Sequence, residues 1–254
     1  MQTILVQCPK CNFEQAVGNA ECIRCGVVFE KYRKFKDRRR DSPSAPTQRT
    51  KPAPEMAQWF KTIFLYVQPE TNPICFAGRL VVFLVLLIWG LKLMVTSLET
   101  NYTGECFWHL VNLPFHEAGH LIFRPLGRLM ASLGGTLGQL LMPLVCLAVF
   151  VLKTRDTFAG SFSLWWFGEN FMDLAPYIND ARSRTLPLLG GNTGRTSPYG
   201  FHDWEFILKE TGLIRYDHVL ANFSYRLGTI LMILALIWGG YILFRQLGNL
   251  RQSG

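Results

Sequence analysis

Charged side chains are scarce in this chain of 254 residues. They make up 17% of it, where a soluble domain carries roughly 25%. Acidic residues are scarcer still, 18 against 26 Lys and Arg, and histidine occurs only five times. Set against 49% hydrophobic and 13% aromatic residues, this shortage excludes a disordered tail protein and a coiled coil. Cysteine is limited to seven residues, four of them crowded near the N-terminus, which excludes a disulfide-rich secreted domain. The composition that remains is that of a bilayer protein with a small polar annex.

The net charge of +8 is unevenly spread. Nine basic residues fall between Lys31 and Lys51, opposed only by Asp37 and Asp41. Beside apolar spans, such a block sets orientation and contacts anionic lipid headgroups. We expect lipid headgroups as partners of this segment, and no nucleic acid. Met1 to Val6 is too short for the apolar core of a signal peptide. The N-terminus is therefore expected in the cytoplasm, with the remainder in a bacterial inner membrane.

The cysteines divide into two groups. Cys8, Cys11, Cys22 and Cys25 form two CxxC pairs separated by ten residues. Each pair offers two thiolates that converge on one tetrahedral ion, so the spacing predicts a structural zinc ribbon over residues 1–30. Unpaired thiols of this kind need a reducing compartment. Cys75, Cys106 and Cys146 sit singly among apolar neighbours and read as small buried hydrophobes.

Residues 27–40 read as a basic helix with Phe29, Tyr32 and Phe35 along one side, and the Pro-rich stretch to residue 54 as a linker. The membrane domain is expected over 55–254. It opens with a one-sided helix at 55–68, carrying Met56, Trp59, Phe60, Ile63, Phe64 and Val67, that lies in the headgroup plane. Apolar stretches at 74–96, 106–123, 129–151, 158–178 and 227–245 predict about five transmembrane helices in an all-α polytopic fold. With the N-terminus inside, the loop from Ala181 to Arg226 is cytoplasmic and the last span runs outward. Lys153 and Arg155 then fall outside, an exception to the positive-inside trend.

His116-Glu117-Ala118-Gly119-His120 is an HExxH motif inside one of these stretches. On a helix, positions four apart share a face, so two imidazoles reach one zinc, and the Glu beside the first can take a proton from water. A catalytic zinc site needs a third protein ligand. The segment from Glu169 to Arg182 holds the carboxylates on offer: Glu169, Asp173 and Asp180. Under the five-span reading its end returns to the same side as the HExxH.

HExxH in one span, one span between, and an Asn…Pro…Asp segment (Asn170, Pro176, Asp180) at the end of the next resemble the site-2 protease group of intramembrane zinc proteases. The likeness covers about residues 105–185. Asp180 is followed by Ala181 and Arg182 rather than Gly-Gly. The resemblance implies His116, His120 and Asp180 as metal ligands, Glu117 as general base, and Asn170 as a residue that helps hold substrate. Asp173 and Glu169 stay open as third ligands. Glu169-x-x-x-Asp173 is similar to a gluzincin segment in which Glu binds zinc.

Other residues receive plainer readings. His109 lies too far along the helix to share the ion. His202 and Asp203 read as an exposed helix start, although they could fold back over the site, and His218 as surface. Gly134, Gly135, Gly138 and Gln139 read as a close helix-packing stripe. The sequence thus predicts an intramembrane zinc endopeptidase acting on membrane proteins, with one catalytic and one structural zinc. Its rivals are a non-enzymatic membrane adaptor that uses the ribbon to bind a partner, and a gluzincin-type membrane protease.

Overall fold

The structure, a computed structural model, describes residues 5–41 and 56–253. It is mostly helical and divides into two compact units, one up to Pro54 and one from Glu55 onward. The predicted linker at 42–54 lies outside the described residues.

The first unit is built on two matching turns. β1 (Leu5–Gln7) pairs antiparallel with β2 (Glu14–Ala16), Val6 opposite Gln15. Between them the Asn12 amide donates to the Cys8 carbonyl, and the second turn repeats this with Gly26 donating to Cys22. Each turn closes on a left-handed residue one place after its second cysteine, Asn12 at φ 57° and Gly26 at φ 69°. Asn and Gly are the residues that tolerate this conformation. Buried Gln15 ties the turns together, donating to the Glu21 carbonyl and accepting from the Ile23 amide. α1 (Phe29–Asp41) follows as the expected basic helix.

The second unit begins with α2 (Met56–Phe64), which leaves Met56, Trp59 and Phe60 exposed. It stops four residues short of the expected end because the Phe64 carbonyl is taken by the Trp238 indole N–H. α3 (Pro73–Val95) starts cleanly: Pro73 occupies the first turn and the Asn72 side chain accepts from the amides of Ile74 and Cys75. Only Leu86, Gly90 and Leu93 of this helix are buried. Its remaining apolar surface faces outward, as a lipid-facing helix requires.

After the short α4 (Tyr102–Glu105), α5 (Phe107–Phe123) and α6 (Arg128–Ala148) form an antiparallel hairpin. α6 runs on as a π-helical turn to Thr154. The expected glycine stripe holds this hairpin together. A Cβ added at Gly119 would stand 2.0 Å from the Gly134 carbonyl oxygen, and one at Gly138 would stand 2.3 Å from that of Phe115. Backbones this close leave no room for a side chain.

α7 (Thr157–Asn179) is the central helix, with most of its residues buried. It packs along α9 (Asp217–Ser253), where Gly168 and Gly228 bring the two backbones together. α8 (Asp203–Glu210) closes the long connection between them.

Among the described residues, three helices are long and apolar enough to cross a membrane: Pro73–Val95, Arg128–Thr154 and Ile214–Arg251. This is fewer than the five expected. At 17 residues, α5 is about 26 Å long, short of the ~30 Å hydrocarbon core. α7 is long enough, but it is surrounded by protein and so carries Glu169, Asn170 and Asp173 in place of an apolar surface. Hydropathy in the sequence does not separate a helix sheltered by its neighbours from one that meets lipid.

Candidate metal centres and the cavity

The four ribbon cysteines place their sulfurs within 4.8 Å of one another. Cys8 and Cys25 are 3.8 Å apart, Cys11 and Cys22 3.7 Å. Four thiolates about 2.3 Å from a tetrahedral zinc stand ~3.8 Å apart, so the set fits that ion. Burial raises the Cys8 thiol, but the backbone amides of Cys11 and Lys10 outweigh it and bring it down to about 6, favouring the thiolate.

The second group lies in the membrane unit. His116 and His120 lie one above the other on a face of α5, ring centroids 4.8 Å apart and edge to face. His116 Nδ1 faces the Gln139 side-chain oxygen at 2.7 Å and His120 Nδ1 faces the Ala131 carbonyl at 2.8 Å. A carbonyl oxygen only accepts, so each Nδ1 carries the proton and each Nε2 presents a lone pair. Both Nε2 atoms converge on Asp203 Oδ2, each at 3.4 Å.

That spacing is informative. A tetrahedral ion with bonds near 2.0–2.1 Å holds its ligand atoms ~3.4 Å apart. The His116–His120–Asp203 triangle has this edge length on the Asp203 side, and all three ligand atoms lie within 4.8 Å of one another. The space is kept by Gly135, where an added Cβ would meet His116 Nε2 at 2.5 Å and His120 Nε2 at 2.6 Å.

Asp203 is held from behind. Ser132 donates to its Oδ1 at 2.7 Å, and the Tyr177 hydroxyl bridges its backbone amide and Oδ2. Two hydroxyl donors therefore hold this carboxylate in place, leaving Oδ2 turned toward both Nε2 atoms.

The triangle opens into a cavity of about 660 Å³. Glu117 and His109 also line it, as do Tyr177 and the loop residues Leu186–Gly190. Glu117 is exposed to this space, and no hydrogen bond or ion pair holds its carboxylate among the described residues.

The expected third ligands lie elsewhere. Asp180 is buried at the end of α7, where its carboxylate accepts from Ser183, from Thr185 and from the Leu186 amide, and faces His202. Asp173 faces His109 Nδ1 at 2.9 Å and accepts from Asn112 and Gln139. Glu169 is fully buried and accepts from Asn112. None of the three joins the His116–His120 group. Asn170 is fully buried, with its amide donating to the Trp166 carbonyl, and does not line the cavity.

Asp203 is the residue the sequence placed on an exposed helix start. It is buried instead, and His202 beside it is completely so. The available signal was the His202-Asp203 pair, set at a helix start in an otherwise turn-rich connection. Gln139, expected only to pack, holds His116 through its side-chain oxygen. His218 is at the surface, as expected.

No known family model, curated protein or solved structure matches this chain.

Proposed function

We propose that this protein is a membrane-embedded zinc-dependent endopeptidase that hydrolyses peptide bonds of membrane proteins. The observation that carries the reading is the convergence of two histidine Nε2 atoms and one carboxylate oxygen with ligand-to-ligand spacing, at the wall of a cavity that Glu117 also lines. His116, His120 and Asp203 would hold the ion, with Asp203 taking the place that the resemblance gave to Asp180. Held by these three residues, a zinc ion would supply Lewis-acid polarisation of a carbonyl and a lowered pKa for water.

The chain's own residues supply the remainder. Glu117 accepts a proton from the water and delivers it to the leaving amine. With no hydrogen bond or ion pair to it among the described residues, its carboxylate can pass a proton between two positions. Gln139 and the Ala131 carbonyl keep both imidazoles in the tautomer that exposes Nε2. Ser132 and Tyr177 fix the Asp203 carboxylate so that it does not swing away. The Leu186–Gly190 segment supplies apolar wall against which a substrate chain would lie.

The test is metal content and peptidase activity of the purified protein in detergent or vesicles, with a membrane-anchored peptide as substrate. The reading requires zinc in a variant whose ribbon cysteines are replaced, and cleavage that stops on chelation. A protein of native helix content with no metal once the ribbon thiols are gone would overturn it.

A further inference from the structure

The contacts at the two ends of the membrane unit fix the direction of each helix. At one end, Tyr225 near the start of α9 donates its hydroxyl proton to carbonyls at the end of α3, with Leu93 at 2.7 Å. There too, Leu98 packs with Leu174, Ala175, Ile178 and Ala221. The end of α3, the end of α7 and the start of α9 therefore share one side. Arg128 at the start of α6 lies against Tyr199 and Phe206, and Ser132 against Asp203, so the metal triangle belongs to this side as well.

At the opposite end, Arg79 near the start of α3 pairs with Asp156 at the start of α7. Thr157 bonds the Tyr66 carbonyl and Asn249 the Gln68 carbonyl. Phe158 packs with Ile242 and Leu243.

α3, α6, α7 and α9 therefore run from end to end in alternation, four passes in all. α5 does not. It starts inside the bundle, where Trp108 meets Trp165 and Phe162, and climbs back toward the metal side. Four passes put the chain at Met56 and the chain at the end of α9 on the same side, and the cavity on the other. The expected five-pass count had placed the start of the unit and the Ala181–Arg226 loop together.

Which side faces the cytoplasm follows from chemistry already described. The four clustered thiols upstream need a reducing compartment. No apolar run in the sequence between Cys25 and Met56 is long enough to carry the chain across. Lys153 and Arg155 lie in the short α6–α7 connection on the Met56 side, with Lys61 and Arg251 near the same end. They were an exception to the positive-inside trend under five passes and conform to it under four. The cavity side carries basic residues too, among them Arg124, Arg128, Arg182, Arg184, Arg215 and Arg226, but the nine from Lys31 to Lys51 upstream of Met56 weight the count toward the Met56 side.

We infer that the His116–His120–Asp203 cavity opens on the face of the membrane away from the cytoplasm. Its substrate is accordingly a peptide segment presented on that outer face. The statement about substrate rests on the hydrolase reading above, whereas the orientation does not.

The experiment is labelling with a membrane-impermeant maleimide on spheroplasts that express the full chain, in a background with Cys75, Cys106 and Cys146 changed to Ala. Thr196→Cys, in the exposed part of the α7–α9 connection, should label as fully in intact spheroplasts as after permeabilisation. Thr154→Cys, in the α6–α7 connection, should label only after permeabilisation. The reverse pattern, or equal protection of both positions until permeabilisation, overturns the orientation. Trypsin supplies a measurement that needs no substitution: cutting at exposed Arg195 in intact spheroplasts supports the outward cavity, and its complete protection there, with cleavage on lysis, refutes it. Neither readout uses catalysis, so an inactive but outward-facing protein would sink the hydrolase reading alone.

Discussion

Asp180 Oδ2 lies 3.3 Å from Nε2 of His202, the residue immediately before Asp203. His202 Nδ1 accepts the Glu205 amide at the start of α8, so its proton sits on Nε2, close to the carboxylate but outside hydrogen-bond geometry. Asp180 is thus a positioning residue. It fastens the end of α7 to the loop that carries Asp203, and also takes the amides of Thr185 and Leu186.

This separates two variants that the sequence alone would have ranked the other way. Asp203→Asn should lose nearly all zinc from the membrane site, measured by metal analysis in a Cys8→Ala/Cys11→Ala background. Asp180→Asn should keep the metal with affinity reduced about 10–100-fold, the usual cost of disturbing an outer partner. Burial raises its carboxyl, but the nearby His202 and the hydrogen bonds from Ser183, Thr185 and Leu186 outweigh that and hold it well below the ordinary range. A lowered folded-state value means the latch is complete above about pH 4 and is lost only in stronger acid. Full zinc in Asp203→Asn with none in Asp180→Asn would restore Asp180 as the ligand.

The two metal sites should respond independently, because their ligand sets belong to different compact units. A domain the size of the first unit draws much of its folding energy from its ion. Replacing Cys8 and Cys11 should unfold residues 5–41 to protease while leaving the helix content of the membrane unit unchanged by circular dichroism. Loss of the second zinc in the same variant would show the sites to be coupled.

Gly135→Ala places a methyl about where the ion must sit, 2.5–2.6 Å from both Nε2 atoms. It should abolish metal binding at this site while the protein still folds, since the added carbon meets side-chain ends. Gly119→Ala meets backbone instead, at 2.0 Å from the Gly134 oxygen. Overpacking of that kind costs about 1–3 kcal/mol, so a lowered thermal midpoint is expected before any change in metal content. Gly135→Ala with undiminished zinc would place the ion elsewhere.

Gln139→Leu removes the acceptor that orients His116 and the donor that reaches Asp173. A weakening of zinc affinity by roughly 10–100-fold is expected, of the size outer partners usually contribute. Competition with a chelator of known strength measures it. An unchanged affinity would reduce Gln139 to the packing role read from the sequence.

How far the sequence could be read depended on whether a feature was local. The CxxC pairs and the HExxH helix carry their geometry in their spacing, and the structure gathers both groups as that spacing requires. The glycine stripe of α6 was legible for the same reason. Asp203 was not, because it reaches His116 across 87 positions of chain through a connection with few regular elements. As a polar residue at the start of a short helix it also looked like an ordinary cap. The short α5 was misread as a span because an apolar helix that turns back inside protein has the hydropathy of one that crosses. The polar face of α7 was visible, but its carboxylates serve Asn112, His109 and the Asp180 latch and do not reach the His116–His120 pair.

Glu117→Gln gives the sharpest test of the chemistry. Gln matches Glu in shape, and among the described residues no hydrogen bond or ion pair holds the Glu117 carboxylate, so zinc content and thermal stability should stay at the level of the parent. What disappears is the capacity to accept a proton, and turnover of a membrane-anchored peptide should fall by about 10²–10⁴-fold, the usual contribution of a general base. Glu117→Asp withdraws the carboxylate by one methylene and should recover part of the rate, because the base survives at a longer reach. A purely structural role predicts the opposite order, with Gln tolerated and the shortened Asp impaired. Full activity in Glu117→Gln, with zinc still bound by His116, His120 and Asp203, would remove the proton-transfer mechanism while leaving the metal centre standing.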